Sequence, residues 1–173
     1  MKILIIPVGS VDLDIVKSIA FAMKNVFSCD VVMSNKMDIP QDAYDSGRKQ
    51  YYSTTILKKM QVMKQKDFAR MLGVTDVDLY VPELNFVFGE ADVSTGTAII
   101  SLTRLRQEFY GRRSDKGLFL ERALKEAVHE IGHTFGLGHC LNPKCIMYFS
   151  NSLRDTDIKG PEFCNNCRTR LGI

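Results

Sequence analysis

The segment His129-Glu130-Ile131-Gly132-His133-Thr134-Phe135-Gly136-Leu137-Gly138-His139 contains all three histidines of a 173-residue chain. Its pattern is H-E-x-x-H-x-x-G-x-x-H, which a chain of this composition would show by chance on the order of a few times in a million. Residues four apart on a helix lie one above the other, so His129 and His133 can turn both imidazoles toward one ion. The run Leu118–Phe135 supports that helix, because Leu120, Leu124, Ala127 and Ile131 form an apolar stripe. At 3.6 residues per turn, His129 lies about 170° from the centre of the stripe and His133 about 150° the other way round. One face therefore packs on a core, and the other looks into a cleft. Asp115 or Ser114 is placed to cap the helix start, and Glu121–Lys125 has the favourable i,i+4 orientation.

Gly136 tolerates positive φ and permits a sharp exit from the helix, which brings His139 back as a third ligand. Three neutral imidazoles with one open position describe a catalytic rather than a structural zinc site. Zinc lowers the pKa of bound water to about 7, and Glu130 is placed to accept the proton. The alternative is three structural histidines at a helix end, which the extended motif disfavours. Three imidazoles also suit other divalent ions.

Four of the five cysteines follow at once, as Cys140-x4-Cys145-x18-Cys164-x2-Cys167. Two pairs, one of them C-x-x-C, have the spacing of a closed four-thiolate zinc site. Disulfides and an iron–sulfur cluster also satisfy that spacing. Cys140 directly follows His139, so adjacent residues stitch the two sites together. Cys29 sits in an apolar run and reads as a small buried hydrophobe.

The rest of the composition is that of an ordinary globular domain: 45% apolar, 25% charged, net charge +3. That balance excludes a disordered or fibrous chain and points to neither nucleic acid nor a membrane surface. The apolar start Ile3–Ile6 is cut by Pro7, too short for a signal peptide, and no stretch approaches a membrane span. A chain that begins at Met1 and stays in the cytoplasm is expected. In a reducing compartment clustered cysteines read first as metal ligands.

Ile3–Val8 reads as a buried strand, Asp12–Phe27 as a helix capped by Asp12, and Cys29–Met33 as a second strand. Ser34–Gly47 reads as a loop. A helix from about Ser53 to Leu72, closed by Gly73, follows, with Met60, Met63 and Met71 as core filler. Asp78–Val81, Asn85–Asp92 and Ala98–Thr103 read as strands, the middle one an edge strand of opposite direction. Strands alternating with helices imply an α/β fold with a largely parallel sheet.

Met147, eight residues after His139, completes a pattern that resembles the metzincin metalloproteases and their Met-turn. Cys140, Cys145-Ile146-Met147 and Cys164-x-x-Cys167 narrow the resemblance to the archaemetzincin family. Phe86-Val87-Phe88-Gly89-Glu90-Ala91 and Arg48-Lys49-Gln50-Tyr51 are also similar to that family, although the Met147–Cys164 interval is slightly shorter. The resemblance implies a metzincin-like mixed sheet with helices and an active-site helix over residues 1–139. It further implies a small zinc-stabilised C-terminal subdomain over residues 140–173.

The family also implies two zinc ions, one catalytic on His129, His133 and His139 and one structural on Cys140, Cys145, Cys164 and Cys167. Glu130 would be the general base, and Met147 a hydrophobic floor beneath the metal. A peptide or protein substrate would add to the edge strand at Phe86, Val87, Phe88, Gly89 and Glu90. Tyr148 or Tyr110 would assist the oxyanion. The resulting expectation is a zinc metallopeptidase. Its competitor is a zinc-stabilised binding module, perhaps for nucleic acid, drawing on Arg104, Arg106, Arg112, Arg113 and Lys116; a solvated basic loop explains that run more simply.

Overall fold

The computed structural model describes residues 1–64 and 66–173. The strand Lys2–Val8 (β1) is buried from Ile3 onward on both faces. Such a run, apolar without alternation, belongs to a parallel strand covered by helices on both sides. β1 pairs in parallel with Asp30–Met33 (β2) on one side and with Arg70–Thr75 (β5) on the other. Between β1 and β2 runs helix Leu13–Phe27 (α1), capped as expected by Asp12, whose carboxylate accepts from the Asp14 N–H.

The expected loop 34–47 contains a short 3₁₀ turn and Tyr44–Asp45 (β3). With Gln50–Tyr52 (β4) and Leu79–Tyr80 (β6), β3 forms a three-stranded side sheet in the order β3-β4-β6. Gly89–Asp92 (β7) and Thr97–Ser101 (β8) complete the main sheet, whose order is β2-β1-β5-β8-β7. All its pairings are parallel except β7–β8, so β7 is the expected edge strand of opposite direction. The regular part is shorter than the expected Asn85–Asp92. Upstream, the Val87 N–H donates to Leu79 O and ties that segment to the side sheet.

One expectation fails. The helix after β4 ends at Met63 (α2, Ser53–Met63), and the chain returns as β5 at the centre of the main sheet. Gly73 is no helix cap; it pairs with Ile6 on one side and Ile99 on the other. Met71, Leu72 and Val74 are buried because both sheet faces are covered, and that continuous apolar run has no period to distinguish strand from helix. Met60 and Met71 are fully buried as core filler, whereas Met63 is exposed at the helix end.

Two apolar layers result. Ile3, Ile5, Leu72, Val74 and Ile100 pack with α1 and with helix Lys116–Thr134 (α3). Leu4, Ile6, Met71 and Ile99 pack with α2 on the opposite face. The C-terminal segment carries Leu153–Ile158 (α4) and Asn165–Leu171 (α5). Its Cys145, Ile146, Met147 and Phe163 join the α3 layer. Among the described residues no helix is long and apolar enough to cross a membrane.

A β-carbon at Gly73 would lie 2.7 Å from Met60 Sδ and 3.3 Å from Ile99 Cγ1. Gly73→Val is therefore expected to overpack the α2 layer and cost about 1–3 kcal/mol. The midpoint of urea unfolding measures this; a midpoint equal to that of the wild type contradicts the placement of Gly73.

Candidate active site

Helix α3 starts at Asp115, whose carboxylate caps the Leu118 N–H, and runs to Thr134. Its sheet-facing side carries Ala123, Ala127 and Ile131, all fully buried. The opposite side carries Glu126, His129, Glu130 and His133, which line a cleft of about 230 Å³. Past the helix, Gly136 takes φ +83°, and the chain turns back so that His139 faces the other two imidazoles. The three ring centroids lie 4.5, 4.8 and 5.5 Å apart. One nitrogen from each ring falls within 4.8 Å of the others.

Backbone carbonyls orient two of the rings. His129 Nδ1 is 2.8 Å from Ile146 O, and His133 Nδ1 is 2.7 Å from Leu137 O. A carbonyl only accepts, so each Nδ1 carries the proton and each Nε2 presents its lone pair to the cleft. The two Nε2 atoms stand 3.0 Å apart. Tetrahedral ligation at about 2.1 Å places two imidazole nitrogens about 3.4 Å apart, close to this spacing. Burial holds all three imidazoles below their usual pKa, which favours the neutral, ligating form. This donor set fits a divalent metal.

The four cysteines also converge, with one sulfur from each within 4.8 Å of the rest. Cys140 Sγ lies 3.8 Å from Cys164 Sγ, and Cys145 Sγ 3.7 Å from Cys167 Sγ. A disulfide needs about 2.05 Å. A tetrahedral zinc with Zn–S near 2.3 Å needs about 3.8 Å between sulfurs. The thiol geometry fits the metal. The Cys167 backbone N–H, beside Cys164 Sγ, holds that thiol down at about 7, while burial pushes Cys167 and Cys145 up.

Met147 lies directly under α3. A β-carbon at Gly132 would fall 2.5 Å from its sulfur, so a side chain there would push the methionine aside. The Cys140 N–H donates to Met147 O at 2.8 Å, tying the histidine loop to this turn. Gly89 plays a parallel part on the opposite wall. A β-carbon there would meet Glu130 Cγ at 2.5 Å and Ile99 O at 2.7 Å, so β7 approaches Glu130 only because it has none. Phe86, Val87, Phe88 and Glu90 line the same cleft. Ser53 and Thr54 of α2 hold the Glu90 carboxylate. Arg48 donates to the carbonyls of Leu84 and Asn85, so the Arg48–Tyr51 segment holds the lead-in to the edge strand.

Neither Tyr148 nor Tyr110 lines the cleft; Phe149, Ser150 and Asn151 do. The Tyr148 backbone closes the Met147 turn, its N–H donating to Cys145 O. Tyr110 lies in a neighbouring cavity instead.

Sequence reasoning missed a set of buried charges on α3. Arg122, 2% exposed, makes two hydrogen bonds of 2.6 and 2.7 Å to Asp157. The Lys125 ammonium donates to Thr156 O and pairs with Glu121 at 2.6 Å. Lys159 is buried with its ammonium paired to Glu126 Oε1 at 2.7 Å. Burial first, then Glu126, pushes Glu130 well above the usual carboxyl range, and Lys159 opposes that rise. Glu126 was signalled by its place four residues before Glu130 on the same face. Lys159 had no local signal.

Known proteins match this arrangement over nearly its full length. Residues 9–172 match the profile described as peptidase family M54. The archaemetzincin of Methanocaldococcus jannaschii is 46% identical over 99% of this chain and 93% of its own. That of Pyrococcus furiosus is 44% identical over 98% of this chain and 91% of its own. The crystal structure of a zinc-dependent peptidase from Methanocorpusculum labreanum superposes with a TM-score of 0.88 at 34% identity, covering 98% of this chain and 99% of that one.

Removing one member of the buried pair strands the other charge. Glu126→Gln is expected to cost about 3–5 kcal/mol, and Lys159→Met in the same background to recover most of it. Denaturant midpoints of the two variants measure this; a double variant no more stable than Glu126→Gln alone refutes the pairing.

Proposed function

Because the chain belongs to peptidase family M54, the archaemetzincins, we propose that it cleaves peptide bonds with Glu130 as general base beside a zinc held by His129, His133 and His139. The broader statement is plain: this is a zinc metallopeptidase, and its substrates are peptides or proteins. One observation carries the finer reading. The Glu130 carboxyl and the three imidazoles line a single cleft whose wall is the unpaired edge of β7.

When bound, zinc supplies the Lewis acidity that polarises the scissile carbonyl and acidifies water. Glu130 accepts a proton from the attacking water at a carboxylate oxygen and delivers it to the departing amine. Its fully buried setting favours the protonated form it reaches midway. Ile146 O and Leu137 O hold His129 and His133 in the tautomer that exposes Nε2. Met147 fills the space beneath α3 at Gly132, the place of the hydrophobic floor in this reading. The substrate backbone extends the main sheet by pairing with β7 at Gly89 and Glu90, with Phe86, Val87 and Phe88 lining its path beyond the strand.

The same proposal gives Cys140, Cys145, Cys164 and Cys167 a second, structural zinc, closed to substrate. Residues 140–173 would then form a subdomain whose own loops that ion ties together. A cytoplasmic setting belongs to the reading, since a reducing compartment keeps the thiols available. The competing idea of a nucleic-acid module has less support. Arg104 is spent on Asp78 and Arg106 on Asp76, so two of the five basic residues are withdrawn from any such patch.

Glu130→Gln should keep its zinc yet lose about 10²- to 10⁴-fold in kcat on a peptide substrate. Elemental analysis with a cleavage assay reads both, and undiminished turnover sinks the mechanism. Cys164→Ser should lower bound zinc from two ions per chain to one and depress the Tm. Unchanged stoichiometry rules out the second ion.

A further inference from the structure

A second, larger cavity adjoins the cleft, and we propose that this cavity is a substrate subsite that seats a large apolar side chain next to a carboxylate. The inference rests on the peptidase reading and names a substrate class for it. The cavity has a volume of about 700 Å³ and shares Phe86 and Asn151 with the metal-facing cleft. Phe86 also begins the segment that leads into β7. A peptide paired along that edge and running past Gly89 toward Phe86 therefore passes directly into it.

Its walls are apolar: Phe86, Leu153, Ile158 and the ring of Tyr110. Ile158 and Tyr110 remain 41% and 43% exposed, apolar surface left open beside a reaction centre. A space of this size is ample for a Phe, Tyr or Leu side chain. Its charge is one-sided. Arg112 and Arg154 line it and are exposed, and neither takes part in an ion pair among the described residues. The acidic residue of the lining, Asp157, is engaged by both Nε and Nη2 of Arg122. Two free guanidiniums over apolar walls select an anion beside a hydrophobic group, and a planar guanidinium matches a carboxylate with two parallel hydrogen bonds. A lysine or arginine of the substrate at the same place meets like charge.

The carboxylate has two sources, an acidic side chain or the free C-terminus of the peptide, and the test separates them. Fluorescent peptides carry Phe-Glu, Phe-Gln or Phe-Lys with amidated ends, and a fourth ends in Phe-Gln with a free carboxylate. Binding is read by anisotropy on the zinc-loaded Glu130→Gln chain, and cleavage on the zinc-loaded wild type. At low salt a carboxylate peptide is expected to bind about tenfold tighter than the Phe-Gln amide. That advantage shrinks at 0.5 M salt, where the Debye length is only about 4–5 Å.

In an Arg112→Gln/Arg154→Gln variant the ratio falls to about one. Preference for Phe-Glu assigns the arginines to a side chain, and preference for the free end assigns them to the C-terminus; both support the subsite. Equal binding of all four peptides with cleavage intact overturns the subsite and leaves the peptidase reading standing. Selective binding without cleavage of any peptide overturns the peptidase reading instead.

Discussion

Helix α3 has to bury both of its faces, and the rest of the molecule is arranged around that demand. The apolar face meets the main sheet at ordinary cost. The other face carries Arg122, Lys125, Glu126, His129 and Glu130, all at most 6% exposed. A buried charge or donor without a partner costs several kcal/mol, about as much as a small domain's net stability. The segment 146–159 supplies those partners in order: Ile146 O for His129, Thr156 O for Lys125, Asp157 for Arg122 and Lys159 for Glu126. The convergence of His129 and Glu130 on one cleft follows from satisfying α3.

The cysteine cluster belongs to the same logic. Segment 140–173 is short and contributes only a few apolar residues to the core, too few to hold it by burial alone. Its backbone is laced instead, with the Ile146 N–H donating to Glu162 O and the Gly160 N–H to Lys144 O. The four sulfurs close this lacing at one point. His139 and Cys140 are neighbours, so whatever holds the sulfurs also holds the third imidazole.

Glycine sets the approach of the walls. Gly132 lets α3 settle onto Met147, and Gly89 lets the edge strand reach Glu130. In both places a single β-carbon would intrude on a side chain central to the site. At Gly89 the edge strand and the Glu130 side chain are in van der Waals contact, so wall and carboxylate are held in one place.

How much could be read without coordinates differs from residue to residue. The histidine and cysteine spacings were decisive because a helix repeats every 3.6 residues and a metal needs several donors at one point. The N-terminal strand, α1, α3 and the reversed edge strand were legible from pattern and caps. β5 was not, because an apolar run buried on both faces has no period, and local propensity cannot say whether Gly73 ends a helix or crosses a sheet. The Lys159–Glu126 pair lay beyond local reading too, since partners 33 positions apart meet only when the fold brings them together. Sequence alone determined which atoms can bind a metal, for ligand chemistry is a property of residue type and spacing. Tertiary structure alone decided which charges stand beside that site, which wall the edge strand forms and which cavity adjoins it, because those depend on contacts between segments remote along the chain.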